Sequence, residues 1–199
     1  MSPAAAHGPS NGPALVVVGP PASGKTTVGR AVAKALGVGF RDTDHDIVAE
    51  TGSSISDLFV DRGEAHFRHL EEQAVARAMA EHLGVLALGG GAVTSAATRS
   101  LLVAHGAGGG AVLWLDVDLT SAARRVGLSR DRPLLSVNPR AMLRVMLEAR
   151  APLYAEVATM TVHTGGRKGG EVLAEVLDQL GRPRTGPGGG AAPTVEETR

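Results

Sequence analysis

Ala14-Leu15-Val16-Val17-Val18-Gly19-Pro20-Pro21-Ala22-Ser23-Gly24-Lys25-Thr26 opens the ordered part of the chain. Its first five residues are aliphatic and mostly β-branched, with no polar interruption, as in a strand buried on both faces of a parallel sheet. The next eight match G-x-x-x-x-G-K-[ST], and helical period follows to Leu36, where Gly37 supplies a stop. A strand, a glycine-containing loop and a helix in that order form a phosphate cradle. Glycines let the backbone wrap close to an anion, and amides at the helix N-terminus point at it. Lys25 reaches the β- and γ-oxygens, and the Thr26 hydroxyl ligates Mg²⁺. Ala22, Ser23, Gly24, Lys25, Thr26 and Thr27 are therefore the candidate nucleotide contacts. A chance glycine-rich turn with a surface lysine is the bland alternative, and the flanking strand and helix count against it.

Outward from this loop, apolar runs alternate with stretches of helical period, and there is no internal repeat. Strands are expected near 39–42, 85–88, 111–115 and 158–162. Helices are expected over 56–81 with a break at Gly63, between the third and fourth strands, and over 118–126, 139–151 and 170–180. This alternation predicts an α/β, doubly wound, five-stranded parallel sheet flanked by helices, with ligands at the carboxyl edge of the strands. Residues 127–139 are polar, Arg-rich and broken by two prolines, and read as a mobile lid. Residues 1–12 and 183–199 are poor in large apolar groups and read as disordered tails around a single domain over 13–182. Gly108-Gly109-Gly110 precedes a strand, at the wrong edge for a ligand, and receives no function.

The totals narrow the classes. Of 199 residues, 43% are hydrophobic, but three Phe, one Trp and one Tyr leave Ala, Val and Leu to fill the core. Twenty basic and twenty acidic residues cancel, so no large field of one sign is available for nucleic acid or an anionic membrane. The absence of cysteine removes disulfides and thiolate metal sites and fits a reducing cytoplasm. The N-terminal residues lack the basic and apolar regions of a secretion signal, so a soluble, cytoplasmic protein is expected.

Three further groups of residues carry chemistry. Asp42-Thr43-Asp44 closes the second strand. One carboxylate can hold Mg²⁺ through its waters while the other receives the proton of an acceptor hydroxyl; an acidic turn or helix N-cap explains the pair equally well. Arg68 can fork a carboxylate, or can simply be a solvated helix residue paired with Glu71 or Glu72. Gly89-Gly90-Gly91 directly after a strand lets backbone approach a ligand, or is a flexible turn.

Taken together and in order, the phosphate loop, Asp42-Thr43-Asp44, Gly63-Glu64-x-x-Phe67-Arg68-x-x-Glu71, Gly89-Gly90-Gly91-Ala92-Val93, Arg132-Pro133-Leu134-Leu135 and Arg150-x-Pro152-x-Tyr154 resemble the shikimate kinase family over about residues 15–170. The resemblance implies a P-loop kinase with ATP as co-substrate and one Mg²⁺ per subunit. It would phosphorylate the 3-hydroxyl of shikimate by direct in-line transfer, for aromatic amino acid biosynthesis. It implies Asp44 against the substrate hydroxyl and Asp42 near the magnesium waters. Arg68, Arg150 and the turn Gly89, Gly90, Gly91 fall on the acceptor, and residues 43–82 form its helices. Arg132 falls on the lid over the phosphates, making Asp44, Lys25 and Arg132 the catalytic set, while Arg125 and Arg167 fall near the adenine. His45 and Asp46 depart from the pattern by adding titratable groups beside the acidic pair. The rivals are a P-loop kinase for gluconate or a nucleoside monophosphate, and a nucleotide switch with no organic acceptor. No guanine-reading N-K-x-D element supports the switch. A monomer is expected.

Overall fold

The computed structural model describes residues 12–127 and 139–181. The lid residue Arg132 and nearly all of the expected lid and tails lie outside the described residues. Within them the chain forms β1 (Leu15–Val18), α1 (Lys25–Leu36), β2 (Phe40–Asp42), α2 (Thr43–Thr51), α3 (Ile55–Glu81), β3 (Val85–Ala87), α4 (Ala96–Ala107), β4 (Val112–Asp116), α5 (Leu119–Gly127), α6 (Pro139–Val157), β5 (Met160–His163) and α7 (Gly169–Gly181). A short 3-10 turn, Ala92–Thr94, links the glycine triplet to α4.

All strand pairs are parallel, in the order β2-β3-β1-β4-β5. β1 lies at the centre, and its four residues are at most 1% exposed. Alternation sends Val16 and Val18 to one face, against Val75, Leu102, Tyr154 and Val157 of α3, α4 and α6. Leu15 and Val17 go to the other, against Val28 and Val32 of α1 and Val172 and Val176 of α7. Burying each such side chain contributes on the order of 1.5–3 kcal/mol, which is why an unbroken aliphatic run belongs here. With every strand parallel, the P-loop, Asp42, Gly89, Asp116 and His163 all leave the sheet at one edge.

Two differences from the expected elements have physical causes. α2 begins at Thr43 with no intervening turn, because the Asp42 side chain accepts from the Asp44 amide and caps it. The break at Gly63 (φ 80°, ψ 166°) is present as expected: its backbone is non-helical, and 55–81 is two helices joined across a kink. α6 was expected to end at Ala151 before Pro152, but it runs to Val157. Tyr154 and Val157 beyond the proline are 1% and 2% exposed, and their burial outweighs the hydrogen bond that Pro152 cannot donate.

Candidate active site

At the phosphate end, Ala22 (φ 64°) and Gly24 (φ 95°) are both left-handed, on either side of fully buried Ser23. Left-handed residues at alternate positions curl the loop so that its amides gather on the inside, as an anion requires. Lys25 Nζ donates to the Gly19 carbonyl at 2.9 Å and the Pro20 carbonyl at 3.1 Å, which holds the ammonium over the loop. Thr26 Oγ1 donates to Asp42 Oδ2 at 2.8 Å, while Asp42 Oδ1 takes the Asp44 amide at 3.1 Å. Asp42 thus caps α2, the helix N-cap that the sequence allowed, and faces the P-loop threonine at once. Mg²⁺ keeps most of its waters and takes one or two protein oxygens plus phosphate, and a hydroxyl beside a single carboxylate fits such an ion delivered with its nucleotide. Among the described residues no cluster of three or more His, Asp or Glu is built to hold a metal outright.

At the other end of the site, by the glycine triplet, the organising residue is Glu71, which the sequence placed only as a neighbour of Arg68. It is 3% exposed and accepts from Arg68 Nη1 at 2.6 Å. Arg68 also reaches Glu64 at 3.0 Å, while Glu72, the other expected partner, accepts from Ser95 instead. Burial pushes the Glu71 carboxyl above its ordinary value, the Asp44 charge adds to this, and the Arg68 and Arg150 guanidiniums oppose it. Two acids and two arginines therefore share one electrostatic neighbourhood.

The glycine triplet is the floor of that neighbourhood. A Cβ at Gly89 would lie 2.3 Å from Glu71 Oε1 and 2.6 Å from Asp44 Oδ1. At Gly91 it would lie 1.9 Å from Arg68 Nη1, and at Gly90 3.0 Å from Pro21 Cδ in the P-loop. The three glycines are therefore spaces into which Asp44, Glu71, Arg68 and the P-loop fit. The Gly89 amide donates to the buried Thr43 hydroxyl at 3.0 Å, tying the turn to the start of α2. The Gly90 carbonyl accepts from Arg150 Nη1 at 3.0 Å and Tyr154 Oη at 2.7 Å. Burial holds the Tyr154 phenol well above its usual value, so it remains a donor. Its ring stacks on Trp114 with centroids 5.8 Å apart. That indole and Pro20 border a chamber of about 360 Å³ between the P-loop and α6.

On the opposite flank, Arg125 donates to the Ala22 carbonyl at 3.0 Å and to Thr164 at its hydroxyl (3.1 Å) and carbonyl (2.7 Å). Arg167 lies nearby on the same connection, held by the His163 carbonyl and Glu175. Thr27 is exposed in the first turn of α1. The structure thus brings together the P-loop, Asp42, Asp44, Arg68, Arg150 and the glycine triplet at one sheet edge.

A phosphate loop facing a pocket of carboxylates and arginines, at the carboxyl edge of a 2-3-1-4-5 parallel sheet, defines a P-loop kinase of small molecules. The shikimate kinase family model matches residues 21–181. The shikimate kinase of Salinispora tropica is 58% identical over 168 residues, covering 84% of this chain and 98% of its own. That of Streptomyces coelicolor is 51% identical over 168 residues, 84% and 95% of the two chains. The structure of the Acinetobacter baumannii shikimate kinase in complex with shikimate superposes with a TM-score of 0.78 at 36% identity, covering 86% of this chain and 97% of that one. The chain belongs to the shikimate kinase family.

Proposed function

We propose that this enzyme transfers the γ-phosphoryl group of ATP to the 3-hydroxyl of shikimate, and that the residues described above divide the work as follows. The observation that carries the reading is the buried Glu71 beside Arg68, Arg150 and Asp44, directly across Gly90 from the P-loop. Shikimate presents one carboxylate and three hydroxyls. Arg68 and Arg150 supply planar, permanently charged donors for the carboxylate, with Glu71 fixing the Arg68 fork at 2.6 Å. Asp44, in the first turn of α2, accepts a hydrogen bond from the attacking hydroxyl and takes its proton as the bond to the γ-phosphorus forms and the bond to the departing ADP oxygen breaks. The P-loop amides and Lys25 hold the phosphates. Thr26 and, through water, Asp42 would hold Mg²⁺, whose charge would offset that of the phosphates. Arg132 would complete the positive field from the lid, and Arg125 and Arg167 would flank the base. The chain supplies orientation and electrostatics rather than a covalent intermediate.

No described helix is long and apolar enough to cross a membrane. Cytoplasmic ATP and a small acceptor are the partners this reading needs, in a monomer with one Mg²⁺. A coupled ADP-release assay with ATP-Mg tests it, using shikimate, gluconate and a nucleoside monophosphate as acceptors. Release that depends on shikimate alone is the expected result. Release indifferent to shikimate would return the chain to the other kinases or to a nucleotide switch.

A further inference from the structure

Ala22 is the one non-glycine residue with positive φ among the described residues, and it lies in the phosphate loop. For an L-residue with a Cβ, the left-handed region is disfavoured by roughly tenfold. Something must hold it there, and Arg125 is placed to do so. One arm of its guanidinium bonds the Ala22 carbonyl at 3.0 Å. The same arm and the other bond the Thr164 hydroxyl at 3.1 Å and carbonyl at 2.7 Å. Thr164 is itself 3% exposed and fixed to the end of β4, its amide and hydroxyl both reaching the Asp116 carbonyl, at 2.8 and 3.0 Å. The Ala22 peptide is thus anchored, through the planar fork of an arginine 103 residues away in sequence, to the β4–β5 edge of the sheet.

We infer that Arg125 is a positioning residue for the phosphate loop: by gripping the Ala22 carbonyl it keeps that residue left-handed and the loop amides turned inward before nucleotide arrives. This deepens the proposed function and rests on the P-loop holding the triphosphate. It differs from a base contact in acting on the phosphate end of the ligand. It also explains how alanine serves at a position whose backbone glycine would adopt freely. Arg125 and Ala22 are then energetically coupled: freeing the backbone at 22 makes the arginine less necessary.

The test is a double-mutant cycle read with tripolyphosphate, which has no base, as a competitor of ATP. Arg125→Ala is expected to weaken tripolyphosphate about tenfold, matching the left-handed penalty it releases. In the Ala22→Gly background the same substitution is expected to cost threefold or less, on the same reasoning. Arg125→Lys retains the charge without the fork and is expected to follow Arg125→Ala; thermal unfolding of each variant establishes that it is folded. Equal losses in both backgrounds overturn the inference. So does wild-type tripolyphosphate affinity in Arg125→Lys, or a loss confined to ATP, which would make Arg125 a base contact alone. Shikimate-dependent ADP release by the wild-type enzyme is a separate readout, so failure of the acceptor assignment leaves the cycle interpretable.

Discussion

Gly91→Ala places a methyl group where Arg68 stands. The added Cβ would lie 1.9 Å from Nη1 and 2.6 Å from Cζ, whereas ordinary contact begins near 3.4 Å. The guanidinium must therefore retreat by about 1.5 Å, since repulsion at such short range exceeds any single contact it could keep. A tip of a long side chain can move, but this one is pinned by Glu71 at 2.6 Å and Glu64 at 3.0 Å, and retreat breaks the first of these. Losing one charge-assisted hydrogen bond to the substrate carboxylate costs about 1.5–3 kcal/mol, so the shikimate KM should rise about 10- to 100-fold. Stability should fall by about 1–2 kcal/mol, the cost of unpairing a buried carboxylate discounted because Arg68 keeps part of its surface in water. Initial-rate ADP release with shikimate and ATP varied in turn checks this. Gly89→Ala is the contrast: its Cβ meets Asp44 and Glu71, so kcat should fall as well. An unchanged shikimate KM in Gly91→Ala, or an ATP KM that rises equally, refutes the placement of Arg68 in the acceptor site.

Asp44→Asn should lose most turnover while ATP affinity, measured by titration, stays near wild type; near-normal turnover removes Asp44 as the proton acceptor. Glu71 has its folded-state carboxyl raised by burial, so its contribution to stability is full below the ordinary carboxylate range and is lost as pH rises through the folded value. Wild-type melting temperature should therefore carry a downward slope across the mildly acidic range that Glu71→Gln lacks, and parallel curves would contradict this. Tyr154→Phe removes one of two donors to the Gly90 carbonyl and should cost about 1 kcal/mol in urea unfolding, since Arg150 still satisfies that oxygen.

The legible parts of the sequence were those where one physical requirement dominates. α1 starts at Lys25 and ends at Leu36 as expected, because a phosphate loop fixes one end and left-handed Gly37 the other. Asp44, Arg68, Gly90 and Arg150, which the family resemblance assigns to the acceptor, lie close together at one edge of the sheet. Glu71 was harder to see. Glu64, Glu71 and Glu72 look alike on a polar helix, and only packing against Gly89 separates the buried one from its neighbours. The same holds for Pro152, whose local preference to end a helix is overridden by two buried side chains that follow it. The anchoring of Ala22 by Arg125 was invisible, since it depends on a contact across 103 residues.

The stack of Trp114 on Tyr154 makes the enzyme its own optical sensor. The chain has one tryptophan, so its emission comes from one place. That indole lines the same chamber as Pro20 of the P-loop and stacks on Tyr154, whose hydroxyl donates to the Gly90 carbonyl. Under the proposed function, nucleotide on the P-loop and acceptor at the glycine triplet should each leave its own mark on intensity or wavelength. Binding order and any synergy between the two substrates can then be followed in stopped flow without a label.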